Sequence, residues 1–284
     1  MFELILENKA GLKLEFGFGS PYTITEVQGL NPPSATINTS QLSLMDGAKY
    51  NSSKMNMRTL NIAFAIEVEA AKNRTAIYKV LKSKQWIKCT YIGEYRQVYI
   101  EGYIQSIDVD YFGKKQVVTC SILCPSPYFR EAQQIVNEMS LILSMFHFPF
   151  SSTAEPQIVF GVISSDSGIN IDNESDVDCG LVIELYARSG LENPKVYNYV
   201  TQEYIGVEIA MLTGDLITID TQEGHKTATL TRNGVTTSIF NNVMQGSTWL
   251  QLPSEGATFV YEVGTGSEAN LDVTFKHTNL FEGV

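Results

Sequence analysis

Residues 212–234 read LTGDLITIDTQEGHKTATLTRNG, and this stretch decides the fold of the second half of the chain. Gly214-Asp215 and Glu223-Gly224 bracket an apolar and β-branched run from Leu216 to Ile219. Asn233-Gly234 is the strongest short hairpin signal available, because the tightest hairpin turn needs a positive φ at two successive residues. The stretch therefore predicts a run of hairpins, which specifies a fold rather than an active site.

Short strands separated by turn residues fill the rest of the second half. They are predicted at Leu181 to Tyr186, Leu216 to Ile219, Thr227 to Thr231, Val235 to Phe240, Thr248 to Leu252, Phe259 to Val263 and Leu271 to Phe275. Many short strands at regular spacing are typical of an antiparallel sandwich or jelly roll.

The first half has one helix among strands. Apolar residues alternate from Met57 to Val68, which indicates a half-buried strand. From Glu69 to Lys84 the apolar spacing changes to three or four, and this pattern predicts an amphipathic helix. The period of two returns in three further segments, at Trp86 to Ile92, Val98 to Ile104 and Val118 to Cys124. The fold class is therefore mainly β, with a helix in the N-terminal domain.

A change in composition divides the chain. Residues 124–128, CPSPY, stop any strand, because proline supplies no N–H to a sheet. Residues 1–130 carry 15 Lys and Arg and 11 Asp and Glu, a net of +4, whereas the remainder carries 5 and 20, a net of −15. We expect a domain at 1–130, a linker at 131–155 that is a short helix or an extended connector, and a β domain at 156–284. The aromatic run HFPF at 147–150 predicts a linker that packs on a surface.

Composition excludes several classes of protein. With 284 residues, 44% hydrophobic and 18% charged, the chain has enough apolar sequence for real cores and no sign of disorder or of a coiled coil. The N-terminus has no basic region ahead of an apolar one, and the apolar run 141–150 is too short to cross a bilayer, so we expect a soluble protein without a membrane partner. The net of −15 in the second half argues that this half at least does not bind nucleic acid, and the first half is too weakly basic to indicate such binding.

Motifs of catalysis and cofactor binding are missing from the sequence. It has no phosphate-binding loop, no G-x-S-x-G elbow and no H-E-x-x-H pair. His147, His225 and His277 lie far apart, and the four cysteines lack the spacing of metal ligands, so buried free thiols in a reducing cytoplasm are expected. We predict no catalytic, cofactor-binding or metal-binding residue and no enzyme activity.

Two sequence features have both a ligand-binding and a purely structural interpretation. Asp172, Glu174, Asp176 and Asp178 alternate, which suits a calcium loop, but the glycine and terminal glutamate of such loops are out of register and a solvated edge is favoured. Trp86 and Trp249 are possible sugar-stacking platforms, but both lie in strand patterns and core packing is favoured.

Residues 212–234 resemble the signature of the distal tail proteins of siphophages and related prophages. Supporting pieces follow in the family's order: DVDCG at 176–180, Asn193-Pro194, GSTWLQL at 246–252 and LFEGV at 280–284, with CPSPY and HFPF resembling the interdomain region. The residues that carry the motif are Gly214, Asp215, Asp220, Thr221, Gly224, Asn233 and Gly234. Residues 31–36, NPPSAT, depart from the commonest pattern and read as an extended, exposed loop.

The resemblance implies a structural protein of the virion tail, assembled in the cytoplasm of a bacterial host. Its first domain would close into a six-fold ring at the distal end of the tail tube, and its second would be a galectin-like sandwich. The implied partners are copies of the chain, the tail tube protein, a tail-associated or tip protein and a receptor-binding protein. Two alternatives stay open: a carbohydrate-binding β-sandwich module, and the equivalent hub protein of a contractile baseplate.

Overall fold

The computed structural model describes residues 2–41, 43, 46–113, 115–139, 142–144, 161–163 and 168–284. It divides the chain into two compact units. Unit 1 comprises Met1–Ala132 together with Leu280–Val284, and unit 2 comprises Gln133–Asn279. The described elements are nearly all antiparallel strands, so the predicted mainly β class is confirmed.

Unit 1 is built on one main sheet. Its elements are β1 (Glu3–Asn8), β2 (Lys13–Phe16), β3 (Tyr22–Gln28), β4 (Ala35–Ser40), β5 (Lys49–Met55), β6 (Arg58–Ile66), α1 (Ala70–Val80), β7 (Trp86–Ile92), β8 (Gln97–Val109), β9 (Gln116–Cys124) and β10 (Phe129–Glu131). The main sheet runs in the order β2-β1-β7-β8-β9-β6-β3, and β10 continues beside β8. Strands β4 and β5 pair only with each other.

Alternation of side chains builds the core of unit 1. On β6, Leu60, Ile62 and Phe64 are fully buried, as the period of two predicts. Helix α1 buries Ile77 and Val80 against the same core. Full burial of a large aliphatic or aromatic side chain stabilises a fold by about 1.5–3 kcal/mol, so these positions stabilise the unit strongly.

The predicted helix at 69–84 is confirmed but shorter. It ends at Val80, because Leu81 already has extended backbone angles while its N–H still bonds to the Ile77 carbonyl. Lys84 then takes a left-handed φ of 67° and donates its N–H to the Ile104 carbonyl, so a fixed turn replaces the predicted last helical turn.

Unit 2 contains a β-sandwich. Its strands are β11 (Ile135–Met139), β12 (Ile142–Ser144), β13 (Gly161–Ile163), β14 (Gly168–Ile171), β15 (Cys179–Gly180), β16 (Val182–Ala187), β17 (Leu191–Asn198), β18 (Tyr204–Gly206), β19 (Ala210–Met211), β20 (Leu216–Asp220), β21 (Thr227–Arg232), β22 (Val235–Ser238), β23 (Gln251–Leu252), β24 (Ala257–Thr265) and β25 (Leu271–His277). Short 3₁₀ helices lie at Phe240–Asn242 and Glu268–Asn270. Six of the seven strands predicted in this half are confirmed with shifted ends, whereas only Gln251–Leu252 of the strand predicted at Thr248 to Leu252 is observed.

Two sheets form the sandwich. One has the order β11-β25-β16-β20-β21-β22, and the other has the order β14-β24-β17-β18 with β19 beside β17. Phe275 of the first sheet stacks on Phe259 of the second with ring centroids 5.1 Å apart, and both rings are fully buried. The inward faces of the two sheets thus meet in one core.

The chain ends back in unit 1. Strand β26 (Leu280–Phe281) pairs with β10, and Phe281 enters the core of unit 1 with its ring under the Arg96 guanidinium at 4.1 Å. The expected domain limits placed these residues in the second domain. Residues 135–139 of the expected linker form β11, and residues 147–150 lie outside the described residues.

Candidate functional site

The motif of residues 212–234 begins with an ion pair between a buried carboxylate and a partly exposed guanidinium. Gly214 has a φ of 87°, which suits glycine, and the next residue, Asp215, is 2% exposed. Its carboxylate accepts hydrogen bonds from the Arg232 guanidinium at 2.9 and 3.0 Å and from the Leu212 N–H at 2.7 Å. The hydrogen bond from Arg232 lowers the pKa of Asp215 below its ordinary value. Arg232 also donates to the Ala210 carbonyl, so the pair joins β19 to the β20–β21 hairpin.

Thr221 continues the motif in the interior. The residue is fully buried; its hydroxyl accepts the Leu181 N–H at 2.8 Å and donates to the Leu250 carbonyl at 2.7 Å. The neighbouring Asp220 accepts the Gln222 N–H at 2.9 Å and so fixes the start of the turn. Thr221 therefore ties three segments of backbone together, and its one hydroxyl proton is already donated within the fold.

Three further residues of the motif make turns. Gly224 has a φ of 81°, and Asn233 and Gly234 have φ values of 51° and 77°. The predicted Asn-Gly hairpin between β21 and β22 is confirmed, with Arg232 facing Val235 across the turn. The seven motif residues thus have turn, ion-pair and backbone contacts of a scaffold, and their role as the signature of a family stays a prediction.

The cysteine side chains are buried and are not available as nucleophiles. Cys89, Cys120, Cys124 and Cys179 are buried free thiols. Burial raises the pKa of Cys120 and of Cys124 to about 12 and that of Cys179 to about 11. Because the thiolate is the nucleophile and the metal ligand, these residues are inert at neutral pH.

The two described histidines lie in different surroundings. His225 lies in an exposed turn, whereas His277 on β25 is fully buried. Neither ring nitrogen of His277 has a hydrogen-bond partner among the described residues, and burial lowers its pKa below the ordinary value. His147 lies outside the described residues.

The alternating acids at 172–178 do not come together as a metal site. Asp178 accepts the Ser254 N–H at 3.1 Å, and the amide of Asn173 donates to the Leu252 and Pro253 carbonyls, so the segment is held as a loop. Within the part of the chain that the structure describes, no group of three or more His, Cys, Asp or Glu is placed to hold a metal ion. The calcium interpretation gains no support here.

The favoured interpretation of the tryptophans as core residues is wrong. Trp86 and Trp249 are both partly exposed and lie outside the buried core. Trp86 lies on the outward face of β7, beside the buried Ile87. Trp249 stacks on Phe240 with ring centroids 5.6 Å apart, and the Lys226 ammonium lies 5.9 Å from the Trp249 ring.

The β4–β5 hairpin is an exposed feature of unit 1. Every residue of its two strands is exposed or partly exposed, including Ile37 and Tyr50 with 62% and 59% of their surface accessible. Isolated two-stranded ribbons are marginally stable in water. A third surface covering the ribbon is therefore expected, and this makes the hairpin a candidate contact with another chain.

This hairpin was not predicted from the sequence. Asp46-Gly47 was a signal for a turn in this region, because Asp-Gly favours turns; it lies within the connection between β4 and β5, and Gly47 has a φ of 89°. Polar residues lie on both faces of the ribbon, so its strands lack the alternation of apolar and polar residues that predicts a strand. The Asn38 amide donates a hydrogen bond to the Ser52 hydroxyl, and the Ser40 hydroxyl donates one to the Asn51 side chain.

Within the described part of the chain, no helix combines the length and the apolar character that a membrane span requires.

Comparisons with known proteins agree with this architecture. Residues 174–279 match the family described as siphovirus-type tail component, C-terminal domain. The fold is similar to the crystal structure of the SPP1 Dit protein, a paradigm of hub adsorption apparatus in Gram-positive infecting phages, with a TM-score of 0.70 at 12% identity over 99% of each chain. No curated protein sequence matches the chain.

Two further structures share the fold more loosely. Chains of the phage P2 baseplate in its activated conformation, with Ca and with Sr, each have a TM-score of 0.55 over 100% of both chains, at 12% and 13% identity. The resemblance to distal tail proteins predicted from the sequence is thereby confirmed.

Proposed function

We propose that this chain, whose residues 174–279 match the siphovirus-type tail components, is a structural protein of the distal end of a phage tail. In this proposal six copies close a ring at the end of the tail tube. The ring joins the tube to a tip or tail-associated protein, and unit 2 supports receptor-binding proteins. The protein would be assembled in the bacterial host and reside in the virion tail.

The observation that carries the proposal is the agreement of two independent comparisons. The family match falls within unit 2, while the fold likeness to a hub protein extends over both units. A shared two-unit architecture supports a shared scaffold role more strongly than a single sandwich would, because sandwiches serve many functions.

The exposed β4–β5 hairpin supports assembly into a ring. A ribbon of this kind gains stability when a neighbouring subunit covers it, and a contact between two different patches of identical subunits closes into a ring when the rotation allows. Ile37 and Tyr50 supply apolar surface for such a contact.

A structural role without catalysis is supported by the chemistry of the described side chains. The four thiols have raised pKa values or are fully buried, and Asp215 is already paired with Arg232. Perturbed groups of this kind are engaged in the fold rather than facing a cleft.

The two alternatives have different tests. A carbohydrate-binding module needs an open aromatic face, but Phe240 stacks on the Trp249 ring and Lys226 lies over it, which disfavours this alternative. The hub of a contractile baseplate would be distinguished by the genes that neighbour this one or by the assembled particle.

The test is the mass of the purified protein, measured by light scattering at several concentrations, with negative-stain images of the same sample. We expect a particle of six subunits, or a stack of such particles, with an open centre. A strict monomer at every concentration would contradict assembly of the chain by itself and favour the binding module, which a glycan-binding screen would then examine.

A further inference from the structure

One end of strand β1 carries a group of uncompensated lysines, here called the lysine end: Lys9, Lys79, Lys82 and Lys84. All four are exposed, and none forms an ion pair with a described residue. The side chain of Asn8 donates to the carbonyls of Lys79 and Val80, which brings the β1–β2 turn against the end of α1.

The sequence around α1 makes this end strongly basic. Residues 79–88 contain four Lys and no Asp or Glu, and three of the four belong to this end. Glu7 is the nearest acid on β1, and it pairs with Lys13 at 3.6 Å. Lys79 lies in the last turn of α1, where it interacts favourably with the helix dipole. That explanation does not extend to Lys9 and Lys84, which lie outside the helix.

The other end of β1 has the opposite charge. This acidic end consists of Glu3, Glu15 and Glu94, all exposed and without an ion pair to a described residue, together with Phe18 and Tyr95. Glu3 pairs with Ile92 across the sheet, and its side chain lies 3.3 Å from where a Cβ on Gly17 would be. The turns that carry Phe18 and Tyr95 therefore flank the start of β1.

Phe18 and Tyr95 are unusual in their exposure. They are 99% and 95% accessible, although a large aromatic side chain gains most from being covered. The electron-rich faces of such rings attract ammonium groups. The acidic end thus offers lysines both carboxylates and aromatic faces.

The two groups lie at opposite ends of β1. Strand β1 spans six residues, and a strand rises about 3.4 Å per residue, so the ends are about 17 Å apart along the strand. Opposite charges at such a distance do not neutralise each other within one copy, because the interaction between exposed charges is screened over about 10 Å at ordinary salt.

We propose that the lysine end of one copy binds the acidic end of the next copy, and that this head-to-tail contact is part of the interface that closes the ring. The inference rests on the proposed function, because it assigns residues to the ring proposed there. The contact is heterologous, as a ring requires, since each copy supplies one patch to each of its two neighbours.

Charge complementarity selects a second copy as the occupant. Unit 1 holds 15 Lys and Arg and 13 Asp and Glu, a net of +2, so it has no overall attraction for a polyanion such as nucleic acid. The lysines and glutamates without an ion pair beside β1 instead lie at its two different ends, which favours a partner with the same separation. Leu12, 46% exposed in the β1–β2 turn, adds apolar surface for Phe18 to cover.

The experiment is a charge exchange read by light scattering on the full chain. Two double variants are made, K79E/K82E at the lysine end and E3K/E94K at the acidic end, and then the combined quadruple variant. Each double variant is expected to raise the protein concentration needed for assembly by about tenfold or more, because it replaces several attractions by repulsions. The quadruple variant restores opposite charges and is expected to recover assembly. K226E in unit 2 is the control for a change of charge alone.

The salt dependence of assembly and the effect of the F18S/Y95S variant are two further, independent tests. Raising NaCl from about 50 mM to about 500 mM is expected to dissociate wild-type assemblies, because attraction between exposed charges is screened. F18S/Y95S changes only side chains at exposed turn tips, where folding is least at risk, and is expected to weaken assembly as well.

The outcomes separate this inference from the proposed function. Rings of unchanged mass in the charge variants and in F18S/Y95S would overturn the inference and leave the ring standing. A wild-type chain that stays monomeric at every salt concentration would overturn both. Retention of wild-type protein on heparin, lost in K79E/K82E while its ring persists, would assign the lysine end to a polyanion and likewise overturn the contact.

Discussion

At the scale of single residues, Arg58 joins distant parts of unit 1. Its guanidinium is 2% exposed and donates to the carbonyls of Gly29, Asn31, Pro127 and Glu282, while it lies 4.5 Å from the Phe129 ring centroid. Burial lowers the pKa of Arg58, but its ordinary value is so high that the group stays charged at neutral pH.

Replacing Arg58 is expected to destabilise unit 1. Arg58→Ala leaves several buried carbonyls without donors, so we expect a loss of about 3 kcal/mol in the free energy of unfolding. The chain has two tryptophans, one in each unit, so a W249F background makes Trp86 fluorescence in urea a report on unit 1. The exposed Lys54→Ala is the control, and equal stability of the two variants would contradict the role of Arg58.

His277 is expected to make unit 2 sensitive to acid. Its pKa is lowered by burial, so between that value and about 6.5 the unfolded chain binds a proton that the folded chain does not. Stability is therefore full above pH 6.5 and falls as the pH falls through this window, by up to about 1.4 kcal/mol per pH unit.

The pH dependence of unit 2 is measured by Trp249 fluorescence in a W86F background, with urea titrations between about pH 5 and about pH 7.5. His277→Leu is expected to flatten the dependence. The matched control is His225→Leu at an exposed position, which should leave the wild-type slope. Equal slopes in wild type and His277→Leu would show that other groups cause the acid sensitivity.

At the scale of elements, the β4–β5 hairpin is expected to serve assembly and not the folding of unit 1. Replacing residues 36–54 by Asn-Gly keeps the pairing of Ala35 with Met55 and removes the exposed ribbon. The Trp86 unfolding midpoint should stay within error, while light scattering should show loss of the ring. Ser52→Ala keeps the ribbon at full length and should still assemble. A shortened variant that forms normal rings would assign the hairpin elsewhere.

Strands and helices that bury only one face were predictable from the sequence. Strand β6 alternates, α1 has its own period, and Asn233-Gly234 marks its hairpin, because each signal is local and reflects burial of one face. The β4–β5 ribbon is polar on both faces and therefore gives no such alternation. Strand β26 has two residues, and its partner β10 lies about 150 positions earlier, so no local pattern encodes the pairing.

The contacts of the motif and the two charged ends of β1 were harder to predict from the sequence than the secondary structure. The motif around Asp215 and Thr221 was identified, but its hydrogen bonds join segments far apart in the chain. The lysine end and the acidic end depend on which turns meet at each end of β1. Charge counts over halves of the chain average over both ends and so could not reveal this separation.

At the scale of the whole molecule, unit 2 is inserted between two parts of unit 1. The chain leaves unit 1 at Ala132 and returns at Leu280, and Arg130 faces Leu280 across the β10–β26 pair. The two connection points are thus neighbours on one sheet. Such an arrangement lets unit 2 fold as one continuous segment, whereas unit 1 needs both ends of the chain.

This arrangement predicts how the chain can be divided. Residues 1–132 alone lack β26, and with it they lose Phe281 from the core and the Glu282 carbonyl from Arg58. Losing a buried aromatic side chain and its strand is expected to lower the unfolding free energy of unit 1 by about 3 kcal/mol or more. Because the connection points are adjacent, joining residue 132 to residue 280 through a short Gly-Ser linker should restore the lost stability.

Urea unfolding followed by Trp86 fluorescence, the reporter of unit 1, compares the two forms directly. A linker form with the same low stability as residues 1–132 would mean that unit 1 does not depend on its C-terminal strand. A scrambled sequence after the same linker controls for length.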